Sequence, residues 1–249
     1  MSTNDAFDLL RDQSPTISVG ILTADLMNLG SELSMLEELG IRVIHFDVMD
    51  GRFAPFMTVG PRFIEGVRSN LLKDVHLLIE NPSTKVEEYV RAGADMITVH
   101  IDAGDGVLSI LRELGRMKNL NHPRRGLVRG VAVNPDTAIE ALRPLLDDIE
   151  MISVLAVNPR VKGFPFFDSI GQRFAKIKEM ASAAGKDILL CIDGGIKRNN
   201  ITEIAKLGAD IIVSGSAVFD GKAPAENARF MLNAVRSKST RNYDEEQMV

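Results

Sequence analysis

ELGIRVIHFD (residues 38–47), RAGADMITVH (91–100) and KLGADIIVSG (206–215) share one pattern: a glycine follows a helical stretch, and an apolar run begins a few residues later. Glycine at that point can adopt the left-handed conformation that closes a helix C-terminus. Runs rich in Val, Ile and Leu recur along the chain, at 17–21, 43–49, 74–79, 96–101, 130–133, 151–157, 187–193 and 210–216. Between them lie stretches with helical spacing, such as SELSMLEELG, PSTKVEEYVRAG and SIGQRFAKIKEMASAAG. Strand and helix alternate throughout, which implies a parallel sheet built from right-handed crossovers. Eight such units in 249 residues match a closed (β/α)8 barrel, the TIM-barrel class of α/β folds, better than an open sheet. The open alternative also lacks a GxGxxG after its first strand. The expected organisation is an N-terminal extension over 1–16, one catalytic barrel domain over 17–236 and a polar, flexible tail over 237–249.

Composition narrows the function. The chain is 45% hydrophobic and 25% charged, ordinary values for a globular protein with a substantial core. A net charge of −5 argues against a broad basic face for nucleic acid or anionic membrane, and no apolar run is long enough to span a bilayer. The first residues, MSTNDAFDLLRDQSPT, lack the apolar core of a signal peptide. The single cysteine, Cys191, sits in the apolar run ILLCID, as a small core residue would, and fits a reducing cytoplasm.

Within VIHFDVMDG (43–51), side chains alternate faces, so His45, Asp47 and Met49 share one side and Asp50 falls on the other. A carboxylate in an apolar run is expensive unless something pairs with it. Barrel enzymes place their working groups at the C-terminal ends of strands. There the sequence offers His45 and Asp47 on the second strand, His76 on the third and Asp193 on the seventh. Taken singly, each has a plain structural reading as a core hydrogen bond or a helix cap. Together they form a reasonable site for a divalent transition metal. IDGGI (192–196) and VSGSAVF (213–219) place Gly194, Gly195, Gly215 and Ser216 just after strands seven and eight, where barrel enzymes commonly bind phosphate; the glycines could also merely permit tight turns. Metal and phosphate together suit proton abstraction beside a carbonyl, with two carboxylates on opposite faces of a flat intermediate. His100 ends the fourth strand, where it could face the mouth, but a core or loop hydrogen bond is the favoured reading. His122, Arg124 and Arg125 read as surface.

The stretches ILTADLMNLG, IHFDVMDGRFAP, TVGP, DVHLLIENP, AGADMITVH, VNP, IDGGI and GADIIVSGSAVF resemble the ribulose-phosphate 3-epimerase family over roughly residues 17–235. The resemblance implies a metal-dependent TIM-barrel isomerase that inverts C3 of a ketose phosphate, D-ribulose 5-phosphate to D-xylulose 5-phosphate, through a 2,3-enediolate. By position it makes His45, Asp47, His76 and Asp193 the ligands of one divalent ion per subunit, whether zinc, iron, manganese or cobalt. Asp47 and Asp193 double as the acid/base pair. Met49 matches a residue lining the floor, and Gly163, Gly194, Gly195, Gly215 and Ser216 match the phosphate grip. A small-molecule ketose phosphate is the expected partner, with no nucleic acid or membrane, in a cytoplasmic homo-oligomer.

Departures from the family pattern fall on the substrate side. Gly20 stands where a serine is usual, Phe56 where an asparagine is, and Leu78 and Leu155 where methionines are. After strand six, LAVNPRVKGFPF (155–166) replaces a glycine-rich lid; it gains Arg160, Lys162 and Pro165 and keeps only Gly163. Either the two cations grip a different sugar phosphate, or they form a solvated loop tip and the substrate is the usual pentulose phosphate. Two further alternatives are a hexulose-phosphate synthase-type aldolase and a non-catalytic sugar-phosphate binder.

Overall fold

The computed structural model describes residues 6–119, 126–161 and 169–237. Lys162, Gly163, Pro165, His122, Arg124, Arg125 and the tail from 238 lie outside these. Eight parallel strands close into a barrel in chain order: β1 (Thr16–Gly20), β2 (Val43–Met49), β3 (Leu72–Leu78), β4 (Met96–His100), β5 (Val128–Val133), β6 (Met151–Leu155), β7 (Leu189–Asp193) and β8 (Ile211–Ser214). Strands six and eight stop short of the expected ends, because Ala156–Val157 and Gly215–Ser216 already turn into the loops of the barrel mouth, while strand seven ends at Asp193 as expected. The three repeat glycines, Gly40, Gly93 and Gly208, have φ of 81°, 88° and 74°. They close the preceding helices as the sequence pattern requires.

Around the strands lie α2 (Leu29–Glu38), α3 (Pro61–Gly66), α4 (Val86–Arg91), α5 (Val107–Leu114), α6 (Ile170–Ala183), α7 (Ile201–Ala205) and α8 (Pro224–Arg236). The longest, α6, buries Ile170, Phe174, Ile177 and Ala181, spaced at three- and four-residue intervals along one face. The crossover between β5 and β6 is a 3-10 helix, Ile139–Asp148, with Pro144 inside it. Proline has no N–H to give and its ring crowds the preceding turn, which disfavours a regular α-helix. Outward strand residues such as Ile44, Phe46, Val75, Leu77, Ile97 and Ile152 form the barrel-to-helix core.

The inward positions stack in levels, as alternation along each strand demands. The lowest level is apolar: Val43, Leu72, Met96, Val128, Met151, Leu189 and Ile211. A further helix, α1 (Ala6–Gln13), covers it with Ala6 and Leu10, one turn apart and fully buried. Burying Leu10 stabilises the closure by roughly 2 kcal/mol. Arg11 holds α1 in place through Asp210 at 2.8 Å and through Asp187. The middle level is polar and buried, with Ser18, His45, Asp74, Thr98 and Ser153. Above it, at the C-terminal mouth, lie Asp47, His76, His100 and Asp193. No helix among the described residues is long and apolar enough to cross a membrane.

Candidate active site and metal centre

Strand register assembles the site. In the β2–β3 ladder His45 pairs with Asp74 and Asp47 with His76, while Asp193 ends β7. His45 Nε2 lies 3.1 Å from Asp47 Oδ1 and 3.7 Å from Asp193 Oδ2. His76 Nδ1 lies 3.2 Å from Asp47 Oδ1 and 3.1 Å from Asp193 Oδ2. The four sequence candidates therefore meet, with all donor atoms within 4.8 Å of one another. Ligand bonds of ~2.0–2.1 Å in a tetrahedral site put neighbouring ligand atoms ~3.3 Å apart, so these spacings suit a small divalent cation. Two neutral imidazoles with two carboxylates also form a donor set that transition metals favour.

Without a cation, the carboxylates hold protons on the rings. Burial opposes the charge on His45, yet Asp74 and Asp47 overcome it and raise its pKa well above the usual imidazole range. His76 is likewise opposed by burial but lifted to about 9 by hydrogen bonds to Asp193 and Asp47. Burial would raise the Asp47 carboxyl; the two histidines outweigh it and hold that group well below the ordinary range.

Two buried supports lie outside the expected ligand quartet. Asp74, 1% exposed, accepts from His45 Nδ1 at 2.8 Å and from the Ser18 hydroxyl at 3.0 Å. That bond leaves Nε2 as the nitrogen facing the quartet. Asp74 was visible in DVHL, two residues before His76 and so on the same face, but only the register puts it opposite His45. The second support is His100, fully buried, whose Nε2 is 2.8 Å from His76 Nε2. Burial, with His76 and Arg160 nearby, keeps its pKa well below normal, so this ring is neutral. Asp50, on the opposite strand face, accepts the N–H groups of Arg52, Phe53 and Glu80 and shapes the loop after β2.

Two cavities flank the quartet, and both are lined by Asp47, Asp193, Gly194 and Gly195. One, of about 210 Å3, adds Gly20, Thr23, Gly215 and Ser216. Gly194 and Gly195 have φ of 98° and 68°, and a Cβ on Gly194 would come within 2.6 Å of Val157 Cγ2. That turn therefore requires glycine. The other cavity, of about 390 Å3, has an apolar wall of Met49, Leu78, Leu155, Val157 and Pro159, with Lys197 at its edge. Lys197 was not anticipated from sequence. Arg160 faces neither cavity: its guanidinium bonds both Asp136 oxygens at 3.0 Å and sits 5.9 Å from the centre of the Phe53 ring.

Comparison with known proteins agrees with this architecture. Residues 16–219 match the model of the ribulose-phosphate 3-epimerase family. A ribulose-phosphate 3-epimerase of Synechocystis sp. is 34% identical over 227 residues, covering 88% of this chain and 94% of that protein. The Bacillus subtilis enzyme of that name is 35% identical over 206 residues, covering 82% and 91%. Among solved structures, KGPDC from Streptococcus mutans superposes with a TM-score of 0.67 at 14% identity, over 90% of this chain and 98% of that one. The 3-hexulose-6-phosphate synthase from Salmonella typhimurium gives 0.65 at 16% identity, over 89% and 99%. At such identities the structural likeness speaks for the fold alone. Fold and site together define a (β/α)8-barrel enzyme with a four-residue His/Asp centre at its mouth. The chain belongs to the ribulose-phosphate 3-epimerase family.

Proposed function

We propose that this protein inverts C3 of D-ribulose 5-phosphate to give D-xylulose 5-phosphate, with Asp47 and Asp193 as the proton-transferring pair. The observation that carries the reading is the meeting of these two carboxylates. They come from β2 and β7, separated around the barrel by β1 and β8, and both border the two cavities beside the histidines. One, as carboxylate, takes the C3 proton and leaves a planar 2,3-enediolate. The other, as carboxylic acid, returns a proton to the opposite face, and the pair ends with its protonation exchanged. A divalent ion held by His45, Asp47, His76 and Asp193, one per subunit, would supply positive charge for the substrate's oxygens. Gly194, Gly195 and Gly215 offer a phosphate the close backbone approach that side chains at those positions would block, and Ser216 beside them adds a hydroxyl. Met49 borders the apolar cavity on the other side, which supports its reading as part of the floor beneath the intermediate.

Arg160 is held by Asp136, which favours the reading in which this cation does not grip substrate. One observation favours a different ketose phosphate: Leu78 and Leu155 leave an apolar cavity of about 390 Å3 beside the centre. The reading further places the enzyme in the cytoplasm, supported by the free thiol of Cys191, and as a homo-oligomer. Exposed apolar side chains at Leu26, Met27, Phe56 and Met57 offer surface for that association. The test is deuterium uptake at C3 from D2O across a panel of ketopentose and ketohexose phosphates. Exchange should vanish on chelation, return with metal, and fall by about 10²–10⁴ in D193N. Metal-replete protein that exchanges C3 in none of these sugars would refute the proposal.

A further inference from the structure

We infer that His100 is a positioning residue that makes Nδ1 of His76, and not Nε2, the nitrogen offered to a cation. This rests on the metal reading above and deepens it. His76 turns Nδ1 to the quartet, 3.1 Å from Asp193 Oδ2 and 3.2 Å from Asp47 Oδ1, and turns Nε2 away from it, 2.8 Å from Nε2 of His100. The two rings lie within 17° of parallel with centroids 4.8 Å apart. A nitrogen–nitrogen contact of 2.8 Å at that centroid spacing is an edge-to-edge N–H···N hydrogen bond, not a face-to-face stack.

Two imidazole nitrogens at this distance share one proton. If it sits on His76 Nε2, that N–H donates to the lone pair of His100 Nε2, and His76 Nδ1 keeps its own lone pair for a cation. If His100 is the donor, His76 must accept at Nε2 and carry its proton at Nδ1. That N–H would point at Asp47 and Asp193 and close the site to a metal. Tautomer choice at His100 and ligand choice at His76 are thus one decision. The consequence for His100 is a proton on Nδ1, an atom that is buried and has no hydrogen-bond partner among the described residues. A satisfied core histidine would bond through both nitrogens. This one makes its hydrogen bond to His76.

The two ligand histidines are therefore supported unequally, His45 by the carboxylate of Asp74 and His76 by the imidazole of His100. The supporting ring is itself fixed. His100 is fully buried, and its centroid is 4.6 Å from that of Phe53, on which Arg160 sits. Packing thus connects the start of the loop after β6 to the orientation of His76.

The decisive experiment follows metal binding, not turnover. Metal-free wild type, H100F and H100Q are titrated with Co2+ and Zn2+ against a chromophoric chelator, and the Co2+ absorption spectrum is recorded. H100F keeps a flat ring against Phe53 but offers no acceptor. It should bind about 10–100-fold more weakly and shift the Co2+ bands. H100Q, whose amide oxygen can accept, should recover most of the loss. Nitrogen-15 NMR of zinc-loaded wild type supplies a readout that needs no variant: His76 protonated at Nε2 and His100 at Nδ1. Unchanged affinity and spectrum in H100F, or a proton on His100 Nε2 in the zinc form, overturns the role of His100 while leaving the metal centre standing. Wild type that binds neither ion removes the metal reading, and this role with it, even if C3 exchange is observed.

Discussion

Replacing Asp74 by asparagine deletes a buried negative charge without changing side-chain size, and its effect on metal binding can be worked from the geometry. Asp74 accepts from His45 Nδ1 at 2.8 Å and is 1% exposed, so the bond is charge-assisted and unscreened by water. Such bonds contribute roughly 1.5–3 kcal/mol, and loss of a ligand's supporting partner typically weakens metal affinity about 10–100-fold, or about 1.4–2.7 kcal/mol. Proton competition modifies this. Asp74 raises the pKa of His45 well above its ordinary value, so in wild type a proton must leave before a cation can use Nε2. In D74N that pKa falls, and the competing proton leaves more easily. Wild-type affinity should therefore climb further with pH than that of the variant. The gap between them should widen from slight near neutrality to the full one or two orders of magnitude at alkaline pH. Competition with a chromophoric chelator at several pH values measures both curves. A D74N protein that binds as tightly as wild type at alkaline pH refutes the reasoning, and so does a deficit that does not change with pH.

The metal-free protein should lose stability as pH rises. His76 is lifted from 6.5 to about 9 in the folded state, so its contribution is fully present below about pH 6.5 and lost as pH passes 9, a change of roughly 3 kcal/mol. Denaturant midpoints of chelated protein should fall over that window, and a flat profile counts against the assignment. Gly20 matters for packing, since a Cβ there would lie 3.1 Å from Gly215 Cα, backbone that cannot swing aside. G20S, which restores the family's usual serine, should destabilise by roughly 1 kcal/mol; a clear rise in denaturant midpoint would show that β1 and β8 can part to admit it. L10A leaves a cavity under the barrel floor where Leu10 is fully buried, and a loss of roughly 2–5 kcal/mol by denaturant unfolding is expected. A loss below about 1 kcal/mol would mean that α1 is not a structural closure.

The sequence by itself determined the barrel and the candidate quartet. Glycines ending helices, followed by apolar runs, marked three of the eight units. Two-residue alternation put His45 and Asp47 on one strand face, and position near a strand end marked His76 and Asp193. It did not forecast the 3-10 geometry around Pro144, because a single proline in an amphipathic stretch breaks helices only by context. The tertiary structure decided the rest of the site: that Asp74 stands opposite His45, that His100 bonds His76 edge to edge, that Arg160 pairs with Asp136, and that Lys197 borders the apolar cavity. The reason is geometric. Alternation along a strand says which side of the sheet a residue faces, and that is local. Which neighbour it meets depends on register between strands twenty or more residues apart, and which ring nitrogen it presents depends on that neighbour.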